Sequence, residues 1–148
     1  MAGHSCSHYF RLVISSLGVL AGLLACVAFS VMYHHVVASV LAFISAVFAA
    51  VCLTLHILHH RNILAVWHSP DTLGDISKLG FCVLNIGFSL TAWYIFDILY
   101  HHRAMMPIED SPYISAVWAF MTGKWGLMLW LDSRKYAALL GSGSLLAD

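Results

Sequence analysis

Residues 12–58 read LVISSLGVLAGLLACVAFSVMYHHVVASVLAFISAVFAAVCLTLHIL, two long apolar runs separated only by His34 and His35. Each run is long enough to cross a hydrocarbon core of roughly 30 Å as a helix. A helix satisfies its own backbone hydrogen bonds, which lipid cannot do. Because two residues cannot reach back across a membrane, the runs must form a tight antiparallel hairpin. The sequence therefore predicts a polytopic membrane protein.

Two further apolar runs follow this hairpin. The four predicted spans cover residues 12–33, 36–58, 79–100 and 112–131. Polar stretches at 59–78 and 101–111 hold charges and turn residues that are unsuited to lipid. The remaining tail, residues 132–148, is polar and rich in Gly and Ser. We expect an all-α fold in which residues 1–148 form a single domain of four transmembrane helices.

The composition excludes several other classes of protein. Apolar residues make up 61% of the chain and charged residues 9%, against roughly half and a quarter in soluble domains. Seven basic and seven acidic residues give zero net charge, so no basic field exists for a nucleic-acid partner. No Gly-rich phosphate loop and no nucleophile elbow occurs. Nucleotide chemistry is therefore not expected, and our overall expectation is that the chain is not an enzyme.

The orientation in the membrane is predicted from the basic residues of the short connecting segments. Arg103 alone would lie on one side. The other side would hold Arg11, Arg61, Lys78, Arg134 and Lys135. Because basic residues concentrate on the cytosolic side, we expect both termini to face the cytosol.

Histidine is the unusual residue in this chain, with ten against seven Lys plus Arg. His34 and His35 lie at the outer tip of the first hairpin, and His101 and His102 at the outer end of the third span. Interfacial solvation could explain these pairs. His56 lies inside the second span, roughly 30 Å from His35 at 1.5 Å per residue. An ionisable group there usually faces the bundle interior and is functional, and imidazoles on separate helices suit haem iron.

A lysine and two tryptophans are the other candidates for ligand contact. Lys124 lies about 10 Å inside the fourth span, at the level of Asn85. It could donate a hydrogen bond to the side chain of Asn85, or offer its ammonium to an anionic ligand that has left water. Trp118 and Trp125 are seven residues apart on one helix face. Most other aromatic residues near span ends fit a membrane belt or packing.

Small and charged residues also predict two local contacts. Gly18 and Gly22 form a small-xxx-small pair that lets a neighbouring helix approach closely. Asp97, near the outer boundary, is expected to pair with Arg103.

The fourth span and the tail resemble a known family. The resemblance is carried by Tyr113, Ser115, Val117, Trp118, Phe120, Lys124, Trp125, Arg134, Lys135 and Tyr136. They are similar to the closing segment of the heme-responsive transporter family, small four-span eukaryotic haem importers. Its Phe-Ala-Arg-Lys-Tyr motif aligns with residues 132–136, where Asp132 and Ser133 replace the first two positions. His56 matches a second-span histidine of that family, and His101 or His102 matches a histidine in its second outer loop.

The resemblance implies transport of haem from the extracellular side or the endolysosomal lumen to the cytosol. Haem is then the transported ligand. It implies that the outer histidines receive haem and that His56 is an axial ligand of its iron near the inner face. Further haem-binding candidates are Lys124, Arg134 and Lys135, which would guide the propionates, with Tyr136 and Trp118.

Two other functions remain open from the residues alone. The chain could be an accessory or trafficking subunit that packs through Gly18 and Gly22 and transports nothing. It could also be a membrane cytochrome that retains haem, although His56 is the only deep histidine. Besides haem and the lipid bilayer, we expect a second copy of the chain as partner, because four short helices enclose little space. The plasma membrane and the endolysosomal membrane are both compatible locations.

Overall fold

The computed structural model describes the backbone of residues 2–145 and the side chains of residues 9–142. Within that range the chain is helical and contains no strand, as the all-α prediction requires. The elements are α1 (Ala2–Val31), α2 (Val36–His60), α3 (Leu64–Trp67), α4 (Pro70–His101), a 3₁₀ turn (Ile108–Asp110) and α5 (Pro112–Leu145).

Three helices of the described chain are long and apolar enough to cross a membrane. They cover Tyr9–Val31, Val36–His60 and Pro70–His101. Helix α5 has sufficient length, but Lys124 and its glycine and tryptophan residues lower its mean hydropathy. The crossing by α5, and with it the four-span count, stays a prediction.

The predicted first hairpin is confirmed in detail. His34 takes a left-handed backbone conformation with φ of 51°, which reverses the chain within the two-residue linker. His35 caps α2, because its Nδ1 accepts the backbone N–H of Ala38 at 3.2 Å.

Three helix boundaries differ markedly from the predicted spans, the first being that α1 begins at Ala2 rather than at residue 12. Helix α4 begins at Pro70, well before residue 79, because Ser69 caps it through the Thr72 N–H at 3.2 Å and Pro70 suits a first helical turn. Helix α5 continues through residue 131 to Leu145 without a break. The segment expected as a tail is helical there, and its Asp132 and Tyr136 are buried against the other helices.

Close backbone contacts hold the helices together. Helices α4 and α5 pack most extensively, and α2 lies against both α1 and α5. Gly87 of α4 faces the backbone of Gly123 on α5, where no side chain would fit. The packing role predicted for the α1 glycines is confirmed, because Gly18 faces the Trp125 ring and Gly22 faces Ala46.

The two ends of the helix bundle carry different connections. We call the end with the 34–35 turn and the 102–111 loop the His34 end. The opposite end, with the 61–69 connection, is the Arg61 end. Residues Leu55, Leu73, Trp125 and Leu129 form the apolar core, and each is at most 2% exposed.

Candidate functional site

A buried polar cluster joins three helices in the half of the molecule toward the Arg61 end. His56 of α2 is fully buried. Its Nδ1 lies 2.8 Å from the Tyr136 hydroxyl, and its Nε2 lies 3.3 Å from Asp132 Oδ2. Arg11 of α1 pairs with Asp132 Oδ1. We call Arg11, His56, Asp132 and Tyr136 the His56 cluster.

The helical period explains how α5 contributes two members of this cluster. Asp132 and Tyr136 are four residues apart and therefore share one helix face, which turns toward α2. Tyr136 lies beyond the predicted end of the fourth span. Burial first, and then the nearby Asp132 carboxylate, raises the pKa of Tyr136 to about 12. The phenol therefore keeps its proton, and its hydroxyl is hydrogen-bonded to Nδ1 of His56 while Nε2 of the same ring faces Asp132.

This geometry bears on the predicted role of His56 in binding iron. Both imidazole nitrogens face protein partners, so iron could bind only after Asp132 or Tyr136 has moved away from the ring. The structure also adds Arg11 and Asp132 to the functional candidates. The sequence indicates only a role in orientation for Arg11, and it marks Asp132 only as a departure from the family motif, which is the available signal for this site.

The four histidines at the His34 end have different surroundings. His35 is 4% exposed, and its Nε2 donates to the Ser111 carbonyl at 3.1 Å while Nδ1 caps α2. His34 is exposed beside it. His101 Nδ1 lies 2.9 Å from Asp97, and His102 is exposed at the end of α4. Three of these four histidines are therefore exposed, His101 among them despite its pairing with Asp97, and His35 is buried.

Asp97 also lies 3.5 Å from Arg103 Nε, which confirms the predicted pair. The predicted hydrogen bond between Asn85 and Lys124 is wrong. Asn85 donates instead to the Phe81 carbonyl at 2.7 Å, one turn earlier on its own exposed helix face. Lys124 Nζ lies 4.3 Å from the centroid of the Trp125 ring, so its charge rests on an aromatic face.

The basic pair of α5 lies at the Arg61 end. Arg134 and Lys135 are both exposed, and the Arg134 guanidinium lies 5.3 Å from the Trp130 ring centroid. Arg134, Trp130, Phe81 and Lys78 border a cavity of about 640 Å³ between α4 and α5. Arg134 beside aromatic rings suits a flat ligand with carboxylates, whereas the Lys78 ammonium pairs with Asp75 at 2.8 Å. Trp118 lies at the His34 end instead, where its ring is edge-on to that of Phe29 with the two ring centroids 6.3 Å apart.

Comparison with known proteins connects this geometry to a family. Residues 78–125, most of α4 and the first part of α5, match the family model described as "Haem-transporter, endosomal/lysosomal, haem-responsive gene". The chain is 30% identical over 142 residues to the heme transporter hrg-1 of Caenorhabditis elegans, covering 90% of this chain and 73% of that protein. No solved structure matches the chain.

Proposed function

Because this chain belongs to the endosomal/lysosomal haem-transporter family, we propose that it moves haem from the extracellular side or the endolysosomal lumen to the cytosol. The family is one of transporters, which supports transport rather than catalysis. The observation that carries the proposal is the His56 cluster. Ionisable groups enclosed by apolar helices are costly, and they commonly mark substrate pathways.

His56 is the proposed iron ligand at the inner half of the pathway. Iron would replace Tyr136 at Nδ1 or Asp132 at Nε2, and the displaced group would bind the imidazole again when haem leaves. Competition between iron and an internal partner weakens the haem complex. A transporter needs such weakness, because each site must also release its ligand.

Basic side chains would accept the haem propionates. Arg134 and Lys135 are exposed at the Arg61 end, where they could meet carboxylates arriving at the cytosol. Lys124 lies deeper, on the Trp125 ring, and offers a cation within the proposed fourth span. Tyr136 would act through His56, to which it is hydrogen-bonded.

The His34 end would face the outside or the lumen, with both termini in the cytosol. His34 and His102 are exposed and, unlike His101, are not paired with Asp97, so they would receive haem first. His101 is held by Asp97 and His35 by Ser111, so these two would shape the entrance before any contact with iron. Trp118 would supply an aromatic surface there. We further propose a homo-oligomer in the endolysosomal or plasma membrane.

The test is haem-dependent growth of a haem-deficient cell that expresses the chain, with uptake of a fluorescent haem analogue measured in parallel. His56→Ala should lower uptake several-fold at equal protein abundance. Thr54→Ala is the matched control, because Thr54 lies on the exposed side of the same helix and its hydroxyl donates to the Ala50 carbonyl one turn earlier. Unchanged uptake in His56→Ala would contradict the role of His56, and no uptake by the parent would contradict transport.

A second variant separates iron binding from packing. Tyr136→Phe keeps the ring and the imidazole but removes the hydroxyl that occupies Nδ1. If His56 binds iron, this variant should retain uptake. Loss of uptake in proportion to protein abundance in both Tyr136→Phe and His56→Ala would assign the cluster a structural role instead.

A further inference from the structure

A second cavity lies at the His34 end, far from the His56 cluster. Its volume is about 420 Å³, within the range of small-molecule sites. The end of α1, the 102–111 loop and the first turns of α5 surround it. Its walls include Phe29, Met105, Met106, Tyr113, Val117 and Trp118.

The loop that carries the two methionines is fixed near both of its ends. The Tyr113 hydroxyl donates to the Arg103 carbonyl at 3.1 Å. At the other end, His35 Nε2 donates to the Ser111 carbonyl at 3.1 Å. Met105 and Met106 lie between these two anchors, so their backbone is held against the start of α5.

The side chains of these two methionines do not belong to the buried core. Met105 is 62% exposed and Met106 is 68% exposed, although both line the cavity. A thioether is a soft, polarisable group that ligates haem iron and also packs well against aromatic rings. The edge-on rings of Phe29 and Trp118 form the facing aromatic wall.

None of the four histidines at this end lines the cavity, so a methionine sulfur is the iron ligand that its walls offer. His35 uses both nitrogens within the protein, and His101 holds Asp97. Arg103 is not among the lining residues, and its guanidinium pairs with Asp97. The cavity therefore combines an aromatic wall for a macrocycle with two thioethers for its iron.

We infer that this cavity is the entrance site for haem and that the sulfur of Met105 or Met106 is an iron ligand in it. The inference rests on the proposed function and adds residues that the histidine pattern did not identify. Thioethers bind ferrous iron weakly compared with imidazole pairs, which suits a site from which haem must move on. The ligand preference also predicts tighter binding of ferrous than of ferric haem.

The test compares haem with metal-free protoporphyrin IX, which has the same ring and propionates but no iron. Both are titrated into the purified full chain in detergent, under reducing conditions. Met105→Leu combined with Met106→Leu nearly conserves volume and removes both sulfurs. Ferrous haem affinity should fall about tenfold or more, equivalent to roughly 1.4 kcal/mol. Affinity for protoporphyrin IX should not change.

Met32→Leu is the matched control, because Met32 is 71% exposed at the same end of the molecule and does not line the cavity. It should bind both ligands like the parent. Trp118→Ala should weaken both ligands, since it removes a wall and leaves the sulfurs.

Two results for the double leucine variant would contradict the inference. Equal loss of haem and protoporphyrin IX in the double leucine variant would overturn iron ligation by sulfur. Unchanged haem affinity, with an unchanged low-spin ferrous absorption spectrum, would do the same. If the parent binds haem and supports uptake, and the double leucine variant behaves like the parent, only the inference fails. If the parent neither binds haem nor supports uptake, the proposed function fails.

Discussion

Asp132 is a carboxylate with 3% exposure, enclosed by three apolar helices. Desolvation of such a group is expensive unless ion pairs and hydrogen bonds compensate for it. Arg11 supplies the counter-charge from the opposite end of the chain sequence, and His56 supplies a ring nitrogen at 3.3 Å. The carboxylate therefore fixes α1 to α5 as well as orienting the imidazole.

Replacing Arg11 should cost more than replacing the whole ion pair. Arg11→Leu leaves Asp132 buried without its cation, which we expect to cost about 1–3 kcal/mol. Adding Asp132→Leu removes the unpaired buried charge. The double variant should therefore lose less free energy of unfolding than the sum of the losses in the two single variants. Thermal unfolding in detergent measures all four proteins. Simple additivity would mean that the two side chains do not interact.

His35 is expected to matter for stability as a cap and a loop anchor. His35→Ala removes the cap of α2 and the hydrogen bond to Ser111, at a combined cost of about 2 kcal/mol. His34→Gly is the control for the unfolding temperature only, because glycine adopts the left-handed conformation of residue 34 without strain while the variant also removes a proposed haem receiver. Unfolding temperature and haem uptake are measured together. Lost uptake at unchanged unfolding temperature in His35→Ala would point to direct haem contact.

At the scale of elements, glycine sets the distance between α4 and α5. A Cβ at Gly87 would overlap the Gly123 backbone, and one at Gly126 would overlap Leu84. Lipid provides no hydrophobic force between helices, so such close contact is a main source of helix association. The short distance between α4 and α5 also positions Trp130 and Arg134 beside Phe81 and Lys78.

One added methyl group tests this contact. Gly87→Ala should destabilise the protein by roughly 1–3 kcal/mol, because backbone rather than a flexible side chain must move. Gly74→Ala is the matched control on the same helix, where nothing lies within 4 Å of the new Cβ. It should be neutral or slightly stabilising, since alanine favours helix over glycine. Equal unfolding temperatures for the two variants would contradict the close approach.

The first hairpin could be predicted from the sequence for a simple geometric reason. Two residues between apolar runs permit only a hairpin, and the structure has it at His34 and His35. The end of α5 was not predictable in this way, because its Gly and Ser content resembles a solvated tail. Burial of Asp132 depends on Arg11, 121 residues away. No local pattern in the sequence carries that information, and the same holds for the cavity beside Met105.

At the scale of the whole molecule, α1 and α4 expose large apolar surfaces while α5 buries its core residues. Leu24 of α1 is 70% exposed and Leu99 of α4 is 68% exposed, whereas Trp125 of α5 is fully buried. Such outer faces suit contact with lipid chains, as expected for helices at the edge of a membrane bundle. Helix α5 can be less apolar than its neighbours because the protein covers much of it.

This arrangement predicts that α5 crosses the membrane despite its modest hydropathy. Single cysteines at His34 and Glu109 report on the His34 end, and cysteines at Asn62 and Ser142 report on the opposite side. They are placed in a background in which the four native cysteines are replaced. In cells with the protein at the surface, an impermeant thiol reagent should label residues 34 and 109 only. Permeabilisation should then expose residues 62 and 142.

The decisive pair is Glu109→Cys and Ser142→Cys, because α5 alone separates these positions. If both react from outside, α5 does not cross, and Arg134 and Lys135 lie on the outer side. They could not then receive propionates in the cytosol, and the proposed transport toward the cytosol would lack its cytosolic haem-binding residues. If only residue 109 reacts, the basic pair faces the cytosol, as the concentration of Lys and Arg at the Arg61 end requires.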